Sequence, residues 1–229
     1  MRKIFQEDLQ NVGDLLVEIS QYVSAAMTDA RSAFETADVQ LAEEVIAADR
    51  RIDAMQNDID ERAIDLLALQ GPVATDLRTV VGALRMSASL ERMGDLARHI
   101  AQLVRLRYPD QVTPEALRPT FEKMAQHAID ISERVTELLR TRDIALVAQI
   151  TALNEQINEL HASVFATLAD EDWDAPAATT ADCTLASRYF ERFGDHGVSV
   201  AAKVHYLVTG EWDSRGDEDQ ARSAISPVQ

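Results

Sequence analysis

An all-α fold, arranged as two tandem, pseudo-symmetric three-helix bundles, follows from three features of the sequence. Gly (8) and Pro (6) are scarce among 229 residues and aromatics make up 5%, a composition suited to long helices and not to a β-sandwich. Apolar residues recur at alternating steps of three and four along most of the chain, which is the spacing of a helix seam. The chain also repeats itself. Ser87-Ala88-Ser89-Leu90-Glu91-Arg92-Met93-Gly94-Asp95 returns one hundred positions later as Ser187-Arg188-Tyr189-Phe190-Glu191-Arg192-Phe193-Gly194-Asp195. Ser, Glu, Arg, Gly and Asp are identical in the two copies, so one helical unit occurs twice, each with a Glu-Arg-x-Gly-Asp box late in it.

The first helix is expected over about residues 6–35, where Leu9, Val12, Leu16, Ile19, Val23, Ala26 and Ala30 form one stripe. Asp38 reads as the N-cap of the second, whose stripe is Leu41, Val45, Ala48, Ile52, Met55 and Ile59. Gly71-Pro72 punctuates the chain before a third helix that carries Leu77, Val81, Leu84 and Ala88 in register and runs to about residue 107. After a linker at Tyr108–Val112, Thr113-Pro114-Glu115 combines a capping hydroxyl, a first-turn proline and an acid, and predicts the start of the fourth helix. That helix carries Leu117, Phe121, Met124, Ala128, Ile131, Val135 and Leu138. Asp143 is the expected cap of the fifth, with Leu146, Ile150, Leu153, Ile157, Leu160 and Val164. An acidic loop is expected over Asp170–Thr180, and the sixth helix ends at Gly210, a C′ glycine. The organisation is therefore a first bundle over 1–107, a second over 113–210, and a flexible polar tail over 211–229.

The alignment of the halves extends beyond the boxes through Asp38/Asp143, Leu41/Leu146, Ile52/Ile157 and Asp53/Asn158. Narrow stripes on long helices with short links predict antiparallel packing at shallow angles. The formal charge of −17, from 39 acidic against 22 basic residues, repels phosphate backbones and argues against a nucleic-acid partner. It suits cations, or a basic face on another protein. A lone Cys183 forms no intramolecular disulfide and fits a reducing compartment. The N-terminus turns acidic at once, unlike a signal peptide, and no apolar run reaches the ~18–20 residues that span a bilayer. A soluble, cytoplasmic protein is expected.

Glu91 and Asp95 lie four apart, so their side chains neighbour one another on one helix face. Chance supplies such pairs freely in an acidic chain. Asp14/Glu18, Glu61/Asp65 and Glu133/Glu137 share the spacing and read as solvated faces. Two features separate Glu91/Asp95 from these. Stepping back through Ala88, Leu84, Val81 and Leu77, the two acids continue an apolar stripe, where carboxylates are costly unless paired or metal-bound. Asp49/Asp53 on the second helix repeats the arrangement beside Ile52 and Ala48, so one bundle would gather an oxygen-rich cluster for hard or borderline cations. Neutralisation by Arg92 and Arg98 in an ion-pair network explains the same pattern, and the residues alone leave both readings open. Gly94 and Gly194 fit close helix approach, or space cleared beside the carboxylates. No Glu has His three residues on, as di-iron bundles require. No zinc-ligand spacing, phosphate loop or nucleophile elbow occurs either, and no catalytic residue is assigned.

At both boxes, and along Leu66-Leu67-Ala68-Leu69-Gln70-Gly71-Pro72-Val73-Ala74-Thr75-Asp76-Leu77-Arg78, the chain resembles the PhoU family over nearly its full length. The resemblance implies a cytoplasmic, non-enzymatic homodimer that represses phosphate-starvation signalling and phosphate uptake. It would act as an adaptor between a Pst-type phosphate ABC transporter, through its ATPase subunit, and a sensor histidine kinase, reaching the membrane only through these partners. It further implies acidic motifs that bind divalent or trivalent metal: iron, zinc, manganese or magnesium. Carried over by position, the motifs are Asp49 and Asp53 with Glu91 and Asp95 in the first bundle, and Glu191 with Asp195 in the second. The matching places on the fifth helix hold Asn154 and Asn158, a departure that leaves the second bundle short of carboxylates. Glu155 or Glu159 would substitute only on a rotated helix. The alternative is a metal-binding or storage bundle without a phosphate role.

Overall fold

In the computed structural model, which describes residues 2–211, seam periodicity becomes six long helices. They are α1 (Arg2–Thr36), α2 (Val39–Gln70), α3 (Ala74–Arg107), α4 (Arg118–Thr141), α5 (Ala145–Leu168) and α6 (Ala177–Thr209), with a 3₁₀ turn at Glu115–Leu117. No strand occurs among the described residues. The tail expected over 211–229 lies, beyond Glu211, outside the described residues.

The caps follow local chemistry. Asp38 accepts from the Leu41 N–H at 3.0 Å, and Gly71 closes α2 in the left-handed region at φ 52°. Asp143 is the expected cap of α5, but the N-cap position is Ile144, with no side-chain cap bond; Asp143, one residue earlier, accepts from the Ala145 N–H at 3.0 Å. Gly210 ends α6 at φ 77°. Two further boundaries differ from the sequence reading. Thr113 caps nothing: it is buried, Pro114 is extended, and the Leu117 N–H bonds the Pro114 carbonyl at 3.1 Å, so a 3₁₀ turn precedes α4. The acidic loop stops at Pro176, because Ala177-Ala178-Thr179-Thr180 already form the first turn of α6. Trp173 Nε1 donates to Thr180 Oγ1 at 2.8 Å and ties the loop to that turn.

Each set of three helices packs on itself, and the two sets share one core. α1 packs on α4 and α3 on α6, so these four form a central layer with α2 and α5 flanking it. Phe34, Phe121 and Phe190, from α1, α4 and α6, meet with ring centroids 5.7, 5.9 and 6.4 Å apart, joining both bundles at one point. Where the C-terminal end of α3 meets the start of α6, Arg107 Nη2 donates to Asp182 Oδ1 at 3.1 Å, while Nε reaches the other oxygen of this 3%-exposed carboxylate.

α6 approaches α4 closely at Gly197. A Cβ there would lie 2.4 Å from Ile131 Cγ2 and 3.8 Å from Met93 Cε. Alanine favours helix by ~1 kcal/mol over glycine, but forced repacking of a tight core typically costs ~1–3 kcal/mol. Gly197→Ala is therefore expected to lower the urea midpoint, and an unchanged or raised midpoint would show that this contact is not tight.

Candidate functional site

Helix α3 packs against α1, α2 and α6 and is buried on more than one side: Ser87 and Gly94 face Asp60 and Ile52 of α2, and Met93 lies near Gly197 of α6. The stripe Leu77-Val81-Leu84-Ala88 is consequently a half-exposed rim and not the core seam that was expected. Glu91 and Asp95 continue that rim, which leaves them partly buried at the α2–α3 seam.

The first seam gathers Asp49 from α2 with Glu91 and Asp95 from α3. Asp49 is 7% exposed, and its Oδ2 lies 2.5 Å from Arg98 Nε. Arg98 also grips Asp95 through Nη2. Arg92 Nη1 donates to Asp95 Oδ2 at 2.9 Å, and Arg92 Nε stands 3.6 Å from Glu91 Oε2. Asp53 is exposed on the rim of α2, and its charge is felt by Asp49 and Glu91. Burial raises the pKa of Asp49 above the usual carboxylate range, Asp53 and Asp95 add to this, and Arg98 opposes it. Glu91 is raised likewise, by burial and then by Asp95. Asp49 Oδ1 is buried with no hydrogen-bond partner. As these side chains stand, no three His, Cys, Asp or Glu groups converge as ligands among the described residues, because Arg98 and Arg92 lie between the carboxylates.

The second seam keeps the backbone plan and changes the charges. Glu191 is 4% exposed, and Arg188 Nη1 bonds its Oε1 at 2.6 Å. Its Oε2 is buried and unpartnered. Burial, reinforced by Asp195, pushes Glu191 up to about 7. Asp195 is also raised by burial, and accepts from Asn154 Nδ2 at 3.1 Å. Asn158, Glu155 and Glu159 are exposed, so α5 is not rotated to bring either glutamate inward. The pseudo-symmetry is broken at the counter-ion. Arg98, three residues after Asp95, serves the first seam; Val198 takes that place in the second, and Arg188, three residues before Glu191, serves instead.

Both box glycines sit where the flanking helix comes closest. A Cβ on Gly94 would meet Ile52 Cδ1 at 2.9 Å and Asp49 Oδ1 at 3.5 Å, and one on Gly194 would meet Asn154 Oδ1 at 2.1 Å. Close approach and space beside the polar groups are one feature. Sequence reasoning assigned no role to the box serines. Ser87 Oγ donates to Asp60 Oδ1 at 3.0 Å, and Ser187 Oγ lies 2.5 Å from His161 Nδ1, so each ties its helix to the flanking one. Their identity in both copies was the available signal. Cys183 is fully buried, and burial followed by the Asp182 charge pushes its thiol up to about 11, leaving little thiolate.

His161 gives the second seam a pH signature. Burial first, then the Arg188 charge, lowers its pKa from the ordinary 6.5. The unfolded chain then binds that proton more readily, so the stability contributed is complete above the unfolded pKa and is lost as pH falls through the folded one. His161→Gln should flatten the fall in unfolding free energy between about pH 7 and 5. Parallel profiles for wild type and variant would exclude this contribution.

The PhoU domain family model matches residues 16–104 and again 121–204, one match per bundle. The phosphate-specific transport system accessory protein PhoU homolog 1 of Mycobacterium leprae is 37% identical over 212 residues, covering 93% of this chain and 96% of its own. Homolog 2 of Mycobacterium tuberculosis is 37% identical over 210 residues, covering 92% and 99%. Two crystal structures share the fold. PhoU from Streptococcus pneumoniae has a TM-score of 0.80 at 23% identity over 92% of this chain and 99% of that one. PhoU from Pseudomonas aeruginosa has 0.80 at 24% over 90% and 100%.

Proposed function

The chain belongs to the PhoU family, and from that premise we propose that it is a regulatory accessory protein of phosphate transport. In this reading it represses phosphate-starvation signalling and phosphate uptake, acting as a non-enzymatic adaptor between a Pst-type phosphate ABC transporter and a sensor histidine kinase. The supporting observation is that likeness to phosphate-transport accessory proteins spans both bundles and both boxes. No helix among the described residues is long and apolar enough to cross a membrane, which agrees with membrane contact through partners such as the transporter's ATPase subunit. A cytoplasmic homodimer belongs to the same proposal.

Metal binding at the boxes is the part of this reading closest to the chemistry. The first seam offers the donor types a cation takes: Asp49, Asp53, Glu91 and Asp95 would hold it only after their side chains converge, and Asp49 Oδ1 lacks a hydrogen-bond partner. A hard or borderline ion such as iron, manganese, zinc or magnesium would supply positive charge that bridges α2 and α3. Arg98 holds that place now, so metal and guanidinium compete for the same oxygens. A metal-storage bundle without a phosphate role is the second reading, favoured only by this donor set.

Deleting the gene in its own host separates the two. Phosphate-starvation reporters are expected to switch on in phosphate-replete medium, and to fall silent again on complementation. Normal repression in the deletion strain would sink the regulator and leave the metal-binding reading standing.

A further inference from the structure

Helix α6 ends against α3, and the chain leaves it beside an apolar groove. The groove, of about 460 Å³, lies between the N-terminal half of α3 and the C-terminal end of α6, and Leu77, Val81 and Leu207 supply its apolar surface. Leu77 and Val81 are 41% and 37% exposed. Gly82 lets Leu207 come close, since a Cβ there would lie 3.1 Å from Leu207 Cδ1. Local bonds fix where the chain departs. Gly210 turns left-handed at φ 77°, its N–H bonds the Tyr206 carbonyl at 2.9 Å, and the Glu211 N–H bonds Thr209 Oγ1 at 3.1 Å. A Cβ on Gly210 would lie 3.5 Å from Arg78 Nη1, which puts this exit against the α3 wall of the groove. Arg78 is itself held, with its guanidinium 5.7 Å above the Tyr206 ring and Nη2 donating to Thr75 Oγ1 at 3.2 Å.

We propose that the groove is a docking site for the chain's own C-terminal segment, residues 212–229, with the Trp212 indole seated on Leu77, Val81 and Leu207. Connectivity selects this occupant. Trp212 is two residues beyond Gly210, so about 7 Å of extended chain tethers it to the exit beside Arg78. A tether that short holds the indole at millimolar effective concentration over the groove, above what a separate chain reaches at ordinary protein concentrations. Trp212 is the one aromatic residue of the segment, and an indole seats a large apolar surface while its N–H can stay in water. Asp213 follows it at once, within reach of the Arg78 guanidinium, and Asp217, Glu218 and Asp219 continue the acidic character. So placed, the segment is a strap from the last helix of the second bundle to the last helix of the first. It covers an apolar face of α3, and a partner that uses that face has to displace it. The strap does not depend on a phosphate role for the protein.

The test reads Trp212 fluorescence in the purified full-length chain. Trp173 and Trp212 are its two tryptophans, so the emission of wild type minus that of Trp212→Phe isolates Trp212. Trp212 is expected to emit to the blue of N-acetyltryptophanamide, with an acrylamide quenching constant less than half of that compound's. Val81→Asp, at a 37%-exposed position, should return both readings to the values of the free compound while the helical circular dichroism is kept. Val81→Ser is the milder variant and should move both readings the same way. Free-compound values for Trp212 in the wild-type chain overturn the proposal. A shielded Trp212 that neither folded Val81 variant uncovers overturns it too, since the indole then lies elsewhere. Shielding that disappears on dilution, in step with dissociation seen by sedimentation, assigns the groove to the segment of a second copy and likewise overturns it. Shielding that persists in the monomer and is lost in the Val81 variants upholds it.

Discussion

Phe190→Ala is expected to lower the unfolding free energy by about 3–5 kcal/mol, the usual cost of deleting a buried aromatic side chain. The ring is fully buried, edge-on to Phe34 of α1 at 5.9 Å and 6.4 Å from Phe121 of α4. No side chain nearby can fill so large a space without moving a helix, and packing losses add to the lost transfer energy. For a chain of this size the melting midpoint should fall by roughly 10 °C, at about 2–4 °C per kcal/mol. The pattern of loss is as informative as its size. Because Phe190 of the second bundle touches Phe34 of the first, both bundles should melt earlier in one transition. Differential scanning calorimetry checks this, and a first-bundle transition that stays at its wild-type temperature would show two independently stable units.

Asymmetric metal binding is the second large effect expected from the proposed metal role of the boxes. The first seam sets four carboxylates, Asp49, Asp53, Glu91 and Asp95, against Arg92 and Arg98. The second sets Glu191 and Asp195 against Arg188 and Arg192, with Asn154 in place of the buried aspartate. Amides are weaker ligands than carboxylates for hard cations, and a seam already neutral gains less from a cation. Asp49→Asn/Asp53→Asn should therefore remove most of the bound manganese or iron measured by elemental analysis and titration, typically tenfold or more in affinity. Glu191→Gln/Asp195→Asn should remove little. Equal losses from both variants would contradict the asymmetry, and no bound metal in wild type would leave the boxes as ion pairs.

Much of this fold could be read directly because seam periodicity, Asp38, Gly71 and Gly210 all report local chemistry, while Asp143 falls one residue before the N-cap of α5. Thr113 misled because a hydroxyl before a proline predicts a cap only where the chain enters the helix at once, and here a 3₁₀ turn intervenes. Leu77 and Val81 misled for a different reason. Helix α3 contacts α1, α2 and α6, so its buried surface is too wide for any single stripe to define. The box carboxylates were visible as a repeat, and Arg98 as a neighbour in sequence. Arg188, three residues before Glu191 on the same helix, was equally a neighbour in sequence, whereas Ser87–Asp60 and Ser187–His161 depend on which helix lies opposite, which periodicity does not encode.

In the proposed function the box carboxylates hold the metal that accompanies the regulatory role, so repression should depend on them. The most direct test of that dependence is a phosphate-starvation reporter in a strain whose only copy is Glu91→Gln/Asp95→Asn/Glu191→Gln/Asp195→Asn. Burial already disfavours the charged forms of Glu91, Glu191 and Asp195, so neutral side chains of equal size should preserve the helical bundles, as circular dichroism and melting can verify. The account predicts a folded protein and a reporter switched on in phosphate-replete medium, as in the deletion strain. A folded variant at wild-type abundance that still represses fully would contradict it and reduce the boxes to structural ion pairs.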